Sequence, residues 1–218
     1  MGDCLIGPAL GFGLAFGLKH AVEADHVAAV TAIVSQRRSV WSSSLVGGLW
    51  GVGHTLSLLL AGVMVLVLRL EIGPRTAQLL EVAVGLMLVI LGVHALAKLR
   101  RGAPRAHGEL RLGWRPFLMG MVHGLAGSSA LMLIVLSTVP TVLLGMVYLG
   151  LFGLGSIGGM MLMSALVSLP FHFTRARFER VNLAICVFAG VFSVGFGAFM
   201  LYEVGFVDTP AADGAVGR

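Results

Sequence analysis

The chain has 218 residues, of which 57% are hydrophobic and only 11% charged, and its formal net charge at pH 7 is +5. Soluble domains have about a quarter of their residues charged, so this composition excludes an ordinary soluble protein and favours an integral membrane protein. The two cysteines, Cys4 and Cys186, are too few for a disulfide framework and do not form a CxxC redox pair.

Six apolar segments follow one another along the chain, and each is long enough to cross about 30 Å of hydrocarbon as a helix. The first and fifth are longer than one crossing needs, which predicts a tilt, a kink or a break. The first has no basic flank and no small-residue cleavage site, so we expect it to stay in the mature chain. We predict an all-α integral membrane protein in which residues 1–218 form a single transmembrane domain. The segments cover residues 5–35, 43–68, 77–99, 117–138, 141–170 and 181–202.

Positive charges are concentrated on one side of the predicted membrane. Eleven lysines and arginines flank the loops after segments one, three and five, whereas only three lie on the opposite side. The positive-inside rule then puts the loop at about 100–115 in the cytoplasm. Both termini, including the short tail 205–218, are expected outside. Because topology explains these basic loops, no nucleic-acid partner is expected.

The two halves of the chain resemble each other. The stretch GLKHAVEADHVAAV aligns without a gap with GMVHGLAGSSALML and pairs His20 with His123 at an offset of 103 residues. GLWGVGHTLSLLLAGVMV aligns with GLFGLGSIGGMMLMSALV at an offset of 102. Two three-helix repeats, at about 5–99 and 117–203, are therefore predicted, and they must enter the membrane from opposite sides. Inverted repeats are typical of secondary transporters, whose binding site lies near the bilayer midplane.

The most polar stretch of the first segment is KHAVEADHV, residues 19–27. An ionisable group at the bilayer centre is costly unless it is paired or hydrated, which indicates a functional site. Successive residues of a regular helix are about 100° apart, so His20, Glu23 and His26 share a face while Asp25 points elsewhere. Binding of one metal ion by His20, Asp25 and His26 therefore requires the helix to unwind or bend there.

Imidazole and carboxylate ligands suit borderline divalent metals such as nickel, copper and zinc. His54, in GVGHTLSL, lies about halfway through segment two, too deep for an interfacial histidine. We interpret Glu81, close to the outer end of segment three, as an interfacial carboxylate. The predicted metal ligands are His20, Asp25, His26 and His54. The accessory candidates are Glu23, His123, Ser128 and Ser129.

These motifs also resemble those of a known family. HAVEADH contains the pattern HxxxxDH and, with Lys19 before it and Val27 after it, resembles the signature helix of the nickel/cobalt transporter family, whose members take up Ni²⁺ or Co²⁺ across the cytoplasmic membrane. GHTLSL resembles the family's second histidine motif, and Glu23 stands where the family usually has Asp. The six spans and HGLAGSSAL are closer to the urease-accessory-type nickel permeases than to the eight-helix members. The resemblance implies a metal-handling role for His20, Asp25, His26 and His54.

The predicted function is a secondary permease in the cytoplasmic membrane, with Ni²⁺ or Co²⁺ as substrate, no cofactor and no enzymatic activity. No GxxxxGK[ST] motif is present, so the energy is expected to come from ion gradients or the membrane potential. Zinc, manganese or iron as substrate is a variant of this prediction. Two alternatives are a non-transporting membrane partner that delivers metal to an enzyme-maturation system, and a rhomboid-like serine protease. The protease would use Ser128 or Ser129 as nucleophile and a histidine as base, but it lacks the Ser-Gly turn and a histidine in segment six.

Overall fold

The computed structural model describes residues 3–35, 37, 39–70, 73–100, 113–138 and 141–207. These residues form seven α-helices and no β-strand, which confirms the all-α prediction for this part of the chain. Most of the predicted loop 100–115 and of the tail 205–218 lies outside the described residues. The helices are α1 Asp3–His20, α2 Ala24–Val34, α3 Val40–Gly62, α4 Pro74–Arg100, α5 Arg115–Thr138, α6 Val142–Arg177 and α7 Glu179–Tyr202, and π-helical turns Val63–Val67 and Glu203–Val207 follow α3 and α7.

Four of the described helical stretches are long and apolar enough to cross a membrane: Val40–Val67, Pro74–Arg100, Val142–Thr174 and Glu179–Phe206. They coincide with predicted segments two, three, five and six. Large apolar side chains such as Ile90 and Leu143 point outward, whereas Ser43 and Ser193 are fully buried. This polarity, apolar outside and polar inside, is that of a multi-pass membrane protein. Helices α1, α2 and α5 occupy segments one and four, and the count of six crossings stays a prediction.

The first segment is broken at the charged stretch. Helix α1 ends at His20 and α2 begins at Ala24, while Glu23 between them is extended, with ψ of 151°. At the start of α2 the backbone N–H of His26 donates to Oδ1 of Asp25 at 2.8 Å. The carboxylate thus satisfies one N–H group that a helix start leaves free, and it lies at the positive end of the helix dipole. The distortion predicted for this segment is confirmed.

Helix α3 packs against both α5 and α6, α1 packs against α6, and α4 packs against α7. Glycines permit the closest approaches between these helices. A Cβ atom at Gly17 of α1 would overlap the carbonyl of Phe152 in α6, and one at Gly120 of α5 would overlap the carbonyl of Trp50 in α3. Small residues at such interfaces let helix backbones make van der Waals contact in lipid, where little hydrophobic driving force remains.

Two glycines three residues apart on α6 provide a matched test of this packing. A Cβ at Gly155 would overlap the carbonyl of Leu14 in α1, whereas a Cβ at Gly158 would meet no atom of the described residues within 4 Å. Overpacking costs about 1–3 kcal/mol, and each kcal/mol shifts the melting temperature of a chain of this size by about 2–4 °C. We expect Gly155→Ala to lower the melting temperature of the purified protein in detergent by about 5 °C. Gly158→Ala should leave it unchanged or raise it, and equal effects of the two substitutions would contradict this packing.

Candidate metal centre

Four histidines from three parts of the chain come together in the membrane domain. The break after α1 places His20 and the first turn of α2 places His26, while α3 and α5 contribute His54 and His123. The ring centroid of His26 lies 4.4 Å from that of His20 and 4.1 Å from that of His123. The centroid of His54 lies 5.1 Å from that of His20 and 5.4 Å from that of His26. Three of these residues, His26, His54 and His123, are buried.

His20, His26 and His54 form what we call the three-imidazole group. One ring nitrogen from each lies within 4.8 Å of the other two. Metal–nitrogen bonds of about 2.0–2.1 Å in tetrahedral geometry correspond to nitrogen–nitrogen separations of about 3.4 Å. The three nitrogens therefore need to approach one another by at most about 1.4 Å to bind one ion. Rotation of the rings and a small shift at the α1–α2 break are the movements available for this.

The buried nitrogens of these rings lack hydrogen-bond partners among the described residues. This holds for Nε2 of His26, for both ring nitrogens of His54, and for Nδ1 of His123. A buried polar group left without a partner costs about 1–3 kcal/mol. The cost is highest at His54, whose side chain has no polar partner at all in this part of the structure. A cation bound by the three-imidazole group would satisfy Nε2 of His26 and one ring nitrogen of His54, so the donor set fits a borderline divalent metal.

Asp25 divides its two carboxylate oxygens between two imidazoles. Oδ1 lies 2.9 Å from Nδ1 of His26, and Oδ2 lies 2.7 Å from Nε2 of His123. An ionised carboxylate only accepts hydrogen bonds, so the proton of His26 is on Nδ1 and the lone pair of Nε2 is available. Metal-binding histidines commonly donate their second ring N–H to a carboxylate, which fixes the tautomer and the ring orientation. Asp25 is therefore placed to orient His26 as well as to bind a metal itself.

Glu23 makes the corresponding contact with His20. Its Oε2 lies 2.9 Å from Nδ1 of His20, and its side chain is half exposed. The same argument leaves Nε2 of His20 with a lone pair. Both imidazoles contributed by the broken first segment are thus held by a carboxylate from the same stretch of sequence.

The structure brings three of the four predicted ligands, His20, His26 and His54, into one group. The fourth, Asp25, instead forms a second, overlapping group with His26 and His123, again with one ligand atom from each within 4.8 Å of the others. His123, predicted as an accessory residue, is therefore a direct neighbour of the centre. The side chains of the other two accessory candidates, Ser128 and Ser129, lie outside the described residues.

Two aromatic residues that were not predicted from the sequence also contact the centre. The indole of Trp50 stacks on His26, with a centroid distance of 5.4 Å and an interplanar angle of 27°. Phe152 lies 5.4 Å from His20, measured between ring centroids. The two residues occupy equivalent positions in the aligned repeats, beside the matched glycines, and this equivalence was the available signal. They limit how far the imidazole rings can tilt.

Comparison with known proteins gives four similar chains and no matching family model. The urease accessory protein UreH of Bacillus sp. (strain TB-90) is 34% identical over 212 residues, which cover 91% of this chain and 92% of that protein. The high-affinity nickel transport protein of Cupriavidus necator is 32% identical over 117 residues, 50% of this chain and 33% of that protein. Chloroplast protein FOR GROWTH AND FERTILITY 1 of Arabidopsis thaliana is 24% identical over 85% of this chain and 56% of its own length. No solved structure matches the chain.

Proposed function

The chain belongs to the nickel/cobalt transporter superfamily, and on that premise we propose that it is a secondary permease that carries Ni²⁺ or Co²⁺ across the cytoplasmic membrane. The observation that carries the proposal is the three-imidazole group, whose unpaired nitrogens are buried between helices with apolar outer surfaces. Buried imidazoles without partners are costly, and a transition-metal ion is the ligand that they suit. No catalytic role is proposed.

In this proposal the imidazoles replace part of the hydration shell of the ion, while the carboxylates of Asp25 and Glu23 balance its charge. The ligands must be unprotonated to bind, so metal binding releases protons and weakens as the pH falls. The site uses no thiolate among the described residues, and borderline ligands of this kind are compatible with release of the ion on the other side. A membrane potential that is negative inside favours inward movement by about 2.3 kcal/mol per charge per 100 mV.

We further propose that six crossings form two inverted repeats with the metal centre at their interface. Pairs of close contacts support this arrangement. Gly17 packs on the carbonyl of Phe152, and Gly120 on that of Trp50. In the repeat alignment Gly17 corresponds to Gly120, at an offset of 103, and Phe152 corresponds to Trp50, at an offset of 102, so the two contacts are equivalent. The same offsets make a further pair of contacts equivalent, Gly155 with Leu14 and Gly53 with Phe117. Such reciprocity is expected of two halves related by an approximate twofold axis.

The name of one similar protein, a urease accessory protein, favours a second candidate function. In that alternative the chain binds Ni²⁺ in the membrane and delivers it to an enzyme-maturation system without transporting it. The metal centre would serve both functions equally well, so flux decides between them.

Uptake of Ni²⁺ by proteoliposomes that contain only this protein tests the proposal. We expect saturable uptake that is driven by an inside-negative potential and is inhibited by Co²⁺ more strongly than by Mn²⁺; Zn²⁺ is the third competitor. Empty liposomes provide the background. Ni²⁺ binding to the purified protein without flux under any gradient would favour the delivery function and exclude the permease.

The proposed orientation has a separate test by cysteine labelling, in a variant in which both native cysteines are replaced by alanine. Ala106→Cys lies in the predicted cytoplasmic loop, and Gly73→Cys lies between α3 and α4 on the predicted outer side. In intact cells an impermeant maleimide should label Gly73→Cys at once and Ala106→Cys only after the membrane is opened. Labelling of Ala106→Cys from outside would reverse the orientation.

A further inference from the structure

A cavity of about 350 Å³ extends from the metal centre toward one end of the α4–α7 pair. Its polar lining consists of three carboxylates and one imidazole, contributed by four different parts of the chain, and the remaining lining residues are apolar. The polar residues are Asp25, Glu81, His123 and Glu203.

The two glutamates lie at the same end of an antiparallel helix pair. A Cβ at Gly85 of α4 would meet the side chain of Leu201 in α7, and one at Gly92 would meet the carbonyl of Gly190, so the start of α4 lies beside the end of α7. Glu81 is in the second turn of α4, and Glu203 follows directly after α7. The charge distribution assigns this end of the pair to the outer side of the membrane.

The polar residues of the cavity become less exposed toward the metal centre. Glu203 is exposed and Glu81 is half-buried, the side chain of Asp25 is 24% exposed, and that of His123 is buried. His123 is the most buried of the polar lining residues, and its Nδ1 has no hydrogen-bond partner among the described residues. The cavity lining therefore combines carboxylates of decreasing exposure with a buried imidazole that has one unsatisfied nitrogen.

The lining fits a hydrated divalent cation. Three carboxylates in a cleft with apolar walls concentrate cations, because the low dielectric constant of the walls focuses the field. The cavity volume is about ten times the roughly 30 Å³ that one water molecule occupies in the liquid, so an ion with several waters can be accommodated. Carboxylate oxygens also bind hard cations such as Mn²⁺ and Mg²⁺, which imidazoles select against.

We infer that this cavity is an outer cation site, at which Glu81 and Glu203 capture a hydrated divalent ion and from which Asp25 and His123 pass it to the three-imidazole group. The inference rests on the proposed permease function. It separates capture from selection: the carboxylate site admits divalent cations in general, and the ion loses its water and is selected only at the imidazoles. His26 belongs to both ligand groups, so an ion can move inward without leaving the protein.

The test compares the double variant Glu81→Gln/Glu203→Gln with Glu179→Gln, which removes an exposed carboxylate at the other end of α7. In proteoliposomes the double variant should raise the KM for Ni²⁺ about tenfold and leave the maximal flux within about twofold of the original protein. Millimolar Mn²⁺ should inhibit Ni²⁺ uptake competitively in the original protein and in Glu179→Gln, and should lose this inhibition in the double variant. Unchanged KM and unchanged Mn²⁺ inhibition in the double variant would overturn the inference.

Two further measurements keep the result interpretable. Mn²⁺ binding to purified protein, followed by loss of the free-ion electron paramagnetic resonance signal, should disappear in the double variant and persist in His54→Ala. Glu203→Lys introduces a positive charge at this exposed position and should raise the KM further, and an unchanged KM would also overturn the inference. If neither the original protein nor any of its variants transports Ni²⁺, the permease proposal fails. Mn²⁺ binding to the purified proteins then still tests the proposed cation site in the cavity.

Discussion

His54→Ala is expected to abolish Ni²⁺ flux at every Ni²⁺ concentration while the protein still folds and reaches the membrane. His54 is the ligand that α3 contributes to the three-imidazole group, and without it only the two imidazoles of the broken first segment remain. Loss of a residue that merely orients a ligand typically costs about 10- to 100-fold in affinity or activity. Loss of the ligand itself should exceed this range. Flux into proteoliposomes and Ni²⁺ binding by calorimetry are the two measurements.

The melting temperature of variants at position 54 distinguishes a metal ligand from a histidine that only supports the fold. Both ring nitrogens of His54 are buried without partners among the residues that the structure describes, so an apolar side chain of similar size removes an unfavourable contribution to stability. His54→Leu should therefore leave the melting temperature of the metal-free protein unchanged or raise it, and should still abolish flux. His94→Ala, an exposed histidine on α4, is the matched control and should transport normally. A marked loss of stability in His54→Leu, or normal flux in His54→Ala at limiting Ni²⁺, would contradict the ligand role.

The sequence was sufficient to predict the break in the first segment because helix geometry and ligand chemistry disagree there. A straight helix directs Asp25 away from the face shared by His20 and His26, and the charged stretch is too costly in lipid to serve no purpose. The structure interrupts the helix between His20 and Ala24. The depth of His54 within its apolar segment predicted its meeting with the first segment by similar reasoning.

The hydrogen-bond partners of Asp25 could not be predicted from the sequence, because they depend on how α5 packs against α3. The repeat alignment paired His123 with His20, but it carried no distances. In the structure Gly120 brings the backbones of α5 and α3 together, and His123, one turn further along α5, lies within reach of Asp25. Trp50 was missed for the same reason, since its stacking on His26 depends on tertiary contact.

Glu81 shows what a local interpretation of a carboxylate leaves out. Its position near the end of an apolar segment is typical of an interfacial residue, and nothing in its neighbouring sequence indicates otherwise. The structure places it on a cavity that also contains Asp25 and His123. Because α4 and α7 are far apart in the sequence and antiparallel in space, only the fold brings Glu81 together with Glu203.

Asp25→Asn is expected to weaken Ni²⁺ binding by about 10- to 100-fold and to reduce flux at limiting Ni²⁺ accordingly. The substitution keeps the size of the side chain but removes its charge and replaces one acceptor oxygen by an NH₂ donor. In the structure each carboxylate oxygen lies against a ring nitrogen, one of His26 and one of His123. The amide can accept from one ring but must donate to the other, so one imidazole changes tautomer or loses its partner.

The size of this loss distinguishes orientation from direct coordination. If Asp25 acts by holding the two imidazoles, Asp25→Asn should retain measurable Ni²⁺ binding with a lower affinity, within the range typical of outer partners of metal ligands. Asp25→Ala, which removes both contacts, should lose more, and His54→Ala should lose binding altogether. Calorimetry at fixed pH on these three variants gives the ranking. Complete loss of binding in Asp25→Asn, equal to that in His54→Ala, would instead place the carboxylate on the metal, as the sequence alone predicts.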